Sequence, residues 1–126
     1  MEMDKKILII EDDLILSLSL EMMLKRIGFT HIEKAETGEE ALEILAQFKP
    51  DLLLVDIQLG VGMTGIETVK KIQNTALIPA LYITGNSDTF FRAQAEETQF
   101  LDYLIKPITY RELNEVLNTH LVSDER

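Results

Sequence analysis

Cysteine is absent from these 126 residues. That removes disulfides, a thiol nucleophile and thiolate ligation of a metal, and it fits a reducing compartment. Positive charge is scarce: 12 Lys and Arg stand against 22 Asp and Glu, for a net charge of −10. Nucleic-acid surfaces draw on clustered Lys and Arg to neutralise phosphates, so no direct nucleic-acid contact is expected, and any regulation of DNA falls to another chain or domain. Long apolar runs are also missing. None approaches the ~18 residues of a membrane span, and the N-terminus is short and charged before Ile7. The chain reads as soluble and cytoplasmic, with no membrane partner. Internal repeats, low-complexity tracts and linkers are not found.

What is present suffices for a core. With 46% apolar residues in 14.4 kDa, residues 1–126 suit one domain, with 121–126 as a tail or the start of a linker. The organising stretch is "PDLLLVDIQLG", Pro50 to Gly60: an uninterrupted apolar run from Leu52 to Val55, then Asp56. It reads as a buried strand delivering a carboxylate to its C-terminal edge. A carboxylate at an apolar edge needs a partner, and in open parallel sheets ligands sit just outside the carboxyl ends of the strands. Taken alone, such an Asp is more often a helix cap or loop residue, so its meaning depends on what other strand ends bring beside it.

The rest of the chain supplies those ends. Ile7 to Ile10 is a second short apolar run, stopped by Glu11, Asp12 and Asp13. Leu14 to Ile27 has helical periodicity with Gly28 as its stop; Leu14, Ile15, Leu18 and Met22 widen its apolar stripe, and burial on more than one side is expected ahead of a patch left for a partner. His31 to Ala35 is a more polar strand placed near an edge, its lone histidine a surface residue. Thr37 with Glu40 reads as a capping box for a helix through Phe48, before Pro50 forces an exit. A glycine-rich loop follows Asp56, then Thr64 and Glu67 box a helix ending near Asn74. A strand from Ala80 to Ile83 ends in Thr84 and Gly85. Ser87 or Asp88 caps a helix over Thr89 to Thr98, whose weak apolar face suggests loose attachment. A strand from Asp102 to Ile105 leads to Lys106 and Pro107, and Thr109 with Glu112 opens the last helix. Strands apolar on both faces, alternating with helices, imply an α/β fold with a parallel sheet covered on both sides.

Four strand ends are therefore polar in step: Glu11 with Asp12, Asp56, Thr84, and Lys106. Clustered acids repel, two unit charges ~4 Å apart costing on the order of 4 kcal/mol at an effective dielectric near 20, so something positive belongs among them. Oxygen ligands without Cys or His favour Mg²⁺. Lys106 adds a second positive charge and Thr84 a hydroxyl donor. Asp13 faces solvent or caps the first helix.

With these residues in order, "ILIIEDD", "LLLVDIQL", "YITG" and "YLIKP", the chain resembles the receiver domain of bacterial response regulators over almost its whole length. The resemblance implies a flavodoxin-like, doubly wound five-stranded sheet of order 2-1-3-4-5. It also implies phosphorylation of Asp56 by a histidine kinase, a phosphotransfer protein or a small phosphodonor. The Mg²⁺ site it implies uses Asp12, Asp56 and the Gln58 backbone carbonyl, with Glu11 acting through water. Thr84 and Lys106 would hold the incoming phosphoryl group, the Lys106-Pro107 bond would be cis, and Tyr103 would be the aromatic switch paired with Thr84. An output domain or effector would read the switch, and a homodimer through the 89–98 helix, the fifth strand and the last helix is a further expectation. Two features depart from the family's pattern. Gly60 stands where most receivers have proline, in a loop that looks one residue longer, and Gln58 and Asn86 are both neutral amides at positions that tune access of the hydrolytic water.

Two rival functions remain. A haloacid-dehalogenase type phosphohydrolase also uses an aspartyl phosphate, but its D-x-D pattern would need an acid where Gln58 stands. A receiver-like interaction module independent of phosphorylation would be expected to have lost some of Asp12, Asp56, Thr84 and Lys106, all of which are present.

Overall fold

The computed structural model describes residues 4–85 and 89–121. Strands and helices alternate: β1 (Lys6–Ile10), α1 (Leu14–Ile27), β2 (His31–Ala35), α2 (Gly38–Ile44), β3 (Leu52–Asp56), α3 (Gly65–Gln73), β4 (Ala80–Thr84), α4 (Thr89–Ala95), β5 (Phe100–Ile105) and α5 (Tyr110–His120). All pairings are parallel in one five-stranded sheet of order β2-β1-β3-β4-β5, the order the resemblance implies. The period of two along each inner strand divides its side chains between two cores. Leu8, Ile10, Leu53, Val55, Ala80 and Tyr82 meet α2 and α3 on one face, while Ile7, Ile9, Leu52, Leu54, Leu81 and Ile83 meet α1 and α5 on the other. Each large side chain buried this way contributes roughly 1.5–3 kcal/mol. The polar β2 lies at an edge, as its sequence suggests.

Caps set several boundaries. Asp13 caps α1 by accepting the N–H groups of Ile15 and Leu16, and α1 stops at Gly28, whose φ is 129°. The boxes Thr64/Glu67 and Thr109/Glu112 are complete in both directions. Thr37/Glu40 is only half a box: the Thr37 hydroxyl accepts the Glu40 N–H, but Glu40 reaches past it to the N–H of Glu36.

Four further expectations need correction. The first helix is not buried on more than one side: Leu14, Ile15, Leu18 and Met22 are 61%, 83%, 50% and 61% exposed. A helix laid on a sheet covers one stripe, and α1 packs mainly on β1 and α5, which leaves its outer side bare. The second, α2, ends at Ile44, not Phe48, because the chain tightens into i→i+3 bonds from Ala46 to Glu43 and from Gln47 to Ile44. Similarly α4 ends at Ala95, not Thr98, where the Thr98 N–H and hydroxyl both donate to the Ala95 carbonyl. Finally, β5 begins at Phe100, two residues earlier than expected, because Leu101 is a bulge between the pairs Ala80/Phe100 and Leu81/Asp102 and so breaks the apolar period. The expected cap at Ser87 or Asp88, Asn86 and the tail beyond Leu121 lie outside the described residues.

Candidate functional site

Register brings the polar groups together. Ile10 of β1 lies beside Val55 of β3, so Glu11 and Asp12 leave the sheet next to Asp56. On the other side Asp56 pairs with Ile83 and Thr84 with Ile105, which delivers Thr84 and Lys106 to the same edge. One carboxylate oxygen from each of Glu11, Asp12 and Asp56 falls within 4.8 Å of the others.

Each member is held differently. Asp56 is 3% exposed; its Oδ1 accepts the Gln58 N–H at 2.9 Å and its Oδ2 accepts the Lys106 ammonium at 2.9 Å. Asp12 is exposed, and its Oδ2 accepts the N–H of Gly60 at 2.9 Å. Glu11 is buried: Oε2 accepts the Asp13 N–H at 3.0 Å, whereas Oε1 is buried without a partner among the described residues. Burial, helped by the neighbouring Asp56 charge, raises the Glu11 carboxyl to about 8 against the pull of the Asp13 N–H and Lys106. Burial alone would lower the Lys106 ammonium, but the hydrogen bond to Asp56 and the charges of Asp56, Glu11 and Asp12 outweigh it and move it upward. The Lys106-Pro107 bond is cis, and the Lys106 N–H donates to the Thr84 carbonyl at 2.9 Å.

Thr84 is buried at this edge, but its hydroxyl donates to the Gly85 carbonyl at 2.7 Å. Tyr103 packs against Phe100 and Tyr82 with ring centroids 4.9 and 6.2 Å away, under the Arg92 guanidinium at 4.4 Å. Its hydroxyl is buried without a partner among the described residues.

Sequence reasoning missed three contributors. Gly65 donates its N–H to the Ile57 carbonyl at 2.8 Å and packs directly on the Asp56 backbone; glycine straight after a helix-capping threonine was the available signal. Gly60 departs from the family's usual proline, but the sequence does not reveal its N–H bond to Asp12. The Tyr82 hydroxyl meets the Thr98 hydroxyl at 2.8 Å, tying β4 to the segment after α4, and nothing in the local pattern announces that pair.

Chemically, the edge offers three convergent acids with a single ammonium paired to the most buried aspartate. An oxygen-only donor set that includes an unsatisfied buried carboxylate oxygen fits a hard divalent cation. Among the described residues no helix is long and apolar enough to cross a membrane.

Comparison with known proteins agrees with this architecture. The phyllosphere-induced regulator PhyR of Methylorubrum extorquens is 32% identical over 121 residues, which span 95% of this chain and 45% of PhyR. The alkaline phosphatase synthesis transcriptional regulatory protein PhoP of Bacillus subtilis is 35% identical over 113 residues, 89% of this chain and 46% of PhoP. This chain thus spans about half the length of these relatives. The N-terminal domain of a response regulator/sensory box/GGDEF protein from Carboxydothermus hydrogenoformans superposes with a TM-score of 0.83 at 31% identity, covering 91% of this chain and 92% of that one. The family model described as the response regulator receiver domain matches residues 7–118, from β1 into α5, and the chain belongs to that family, a signalling module of two-component systems.

Proposed function

We propose that this chain is a phosphorylation-activated switch that accepts a phosphoryl group on Asp56, within one receiver domain over residues 1–126 working in the cytoplasm. The observation that carries the reading is the Asp56 carboxylate itself: buried at the end of the central strand, gripped by Lys106 on one oxygen and faced by Glu11 and Asp12. Asp12 and Asp56, with the Gln58 backbone carbonyl, would hold Mg²⁺ directly and Glu11 through water. When bound, Mg²⁺ offsets negative charge on the phosphoryl oxygens.

The chain's own residues do the rest. An Asp56 carboxylate oxygen forms the new bond to phosphorus as the bond to the donor's leaving group, a histidine nitrogen or an acyl oxygen, breaks. Catalysis is positioning and electrostatics, with no separate base. Formation of the acyl phosphate removes the Asp56 charge that Lys106 was paired with, so the ammonium turns to the phosphoryl oxygens. The Thr84 hydroxyl leaves the Gly85 carbonyl for the same oxygens, and Tyr103 reorients in response.

Receivers partner histidine kinases. The bare apolar side of α1, which starts two residues after Asp12, is where a kinase or phosphotransfer protein would dock. The α4–β5–α5 face would report the switch to an output domain, an effector or a second copy. Acetyl phosphate with Mg²⁺ is the test. Stoichiometric, Mg²⁺-dependent uptake of phosphoryl is expected. Continuous release of phosphate with high turnover would mean a phosphohydrolase, and no uptake at all would mean a phosphorylation-independent module.

A further inference from the structure

We propose that Gly60 is a positioning residue for the metal site, its backbone N–H fixing the Asp12 carboxylate for ligation. This rests on the Mg²⁺ reading above. Asp12 sits on the short segment between β1 and α1 and is exposed, so its side chain needs an external restraint to stay aimed at Asp56. Among the described residues that restraint comes from the β3–α3 loop: the Gly60 N–H donates to Asp12 Oδ2 at 2.9 Å. The bond takes up only part of the carboxylate's acceptor capacity, and an Asp12 oxygen lies within 4.8 Å of oxygens of Glu11 and Asp56.

The reason for glycine here is closeness. The positive-φ glycines are Gly28 and Gly62, so the Gly60 backbone lies outside the left-handed region and other residues could adopt it. A Cβ at position 60, however, would stand 2.7 Å from Asp12 Oδ2 and 3.9 Å from its Cγ. Any side chain pushes the carboxylate aside, and proline, the usual receiver residue here, also has no N–H to donate. The same loop is anchored at its far side, where the Met63 N–H donates to Glu39 of α2 at 3.3 Å. The loop thus acts as a strap from α2 to Asp12. Partners of this kind set ligand orientation, and their loss typically costs about 10–100-fold in metal affinity.

The test is Mg²⁺ affinity by calorimetry on wild type, Gly60→Ala, Gly60→Pro and Val61→Ala, with thermal melts to confirm folding. Expected are a loss of roughly 10-fold or more in Gly60→Pro, a smaller loss in Gly60→Ala, and no loss in Val61→Ala, whose side chain is 74% exposed. In an Asp12→Ala background Gly60→Pro should cause no further loss, and the Gly60 amide resonance should move upfield in Asp12→Ala as its acceptor disappears. Should Gly60→Pro fail to fold, Gly60→Ala and the amide shift carry the test. If wild type binds Mg²⁺ and Asp12→Ala does not, yet the Gly60 variants bind as wild type, the positioning role is overturned and the metal site stands. An equal loss in Val61→Ala also overturns it. If wild type binds no Mg²⁺, the metal reading itself fails.

Discussion

Replacing Gly65 with alanine sets two physical effects of opposite sign against each other. Gly65 is the first residue of α3, and there alanine would gain up to about 1 kcal/mol over glycine from helix propensity and chain entropy. Packing says the reverse. An added Cβ would fall on the Asp56 carbonyl oxygen, well inside van der Waals contact, with the Asp56 carbonyl carbon and Val55 Cγ1 each at 2.9 Å. The two nearest atoms belong to backbone of the central strand and cannot swing away, so α3 must lift from β3. Overpacking of this kind costs about 1–3 kcal/mol. Lifting the helix also strains the Gly65 N–H bond to Ile57, worth about 1 kcal/mol. The net prediction is a loss of about 1–3 kcal/mol after the propensity gain, or about 3–15 °C in Tm for a domain of this size. Phosphorylation from acetyl phosphate should slow as well, because the displaced backbone carries Asp56. Melting followed by circular dichroism reads the first effect and intact-mass kinetics the second. A Tm equal to or above wild type would refute the close packing of α3 on the strand that carries Asp56.

Other expectations follow from the same geometry. Asp12→Ala should weaken Mg²⁺ binding by ~10–100-fold or more and Glu11→Ala by less, since in the proposed site Glu11 would act through water; equal and unimpaired affinity in both variants by calorimetry would contradict the site. Without metal, Glu11 in the folded protein holds a proton up to about 8, against 4.5 as its ordinary value. The native state then binds more protons than the unfolded one across that window, so this contribution is full below about 4.5 and is lost as pH rises through about 8. Urea melts in EDTA at pH 5 and pH 8 should show the decline in wild type and a flatter profile in Glu11→Gln; the same slope in both would refute the assignment. Beryllofluoride should draw the Thr84 hydroxyl from the Gly85 carbonyl and turn the Tyr103 ring, helped by a buried Tyr103 hydroxyl whose missing partner costs about 1–3 kcal/mol. A hydrogen bond to the charged group adds about 1.5–3 kcal/mol, whereas a shift from 1:99 to 99:1 takes about 5.5, so threonine, tyrosine and lysine must act together. An unmoved ring and hydroxyl with the mimic bound, seen by NMR, would exclude this switch.

Local chemistry carried most of what the sequence revealed. Asp13, Gly28 and the Thr64 and Thr109 boxes are short-range signals, and they placed α1, α3 and α5 within a residue or two. The apolar runs ending in Glu11, Asp56, Thr84 and Lys106 gave the acidic edge, because parallel strands put every C-terminus on one side. What failed needed the third dimension. The bare side of α1 depends on how few elements pack against it, and the Leu101 bulge depends on the register with β4. The glycines at 60 and 65 matter through contacts with Asp12 and with the Asp56 backbone, which their local sequence does not encode. The pair of hydroxyls on Tyr82 and Thr98 is likewise a product of the fold.

The central claim is that Asp56 accepts the phosphoryl group. Peptide-level mass spectrometry after treatment with acetyl phosphate and Mg²⁺ addresses it most directly, with Asp56→Asn and a metal-free sample in parallel. The account predicts a single added phosphoryl on the peptide carrying Asp56, absent in Asp56→Asn and strongly reduced without Mg²⁺. Phosphoryl retained at wild-type level in Asp56→Asn, or mapped to another residue in wild type, would contradict it.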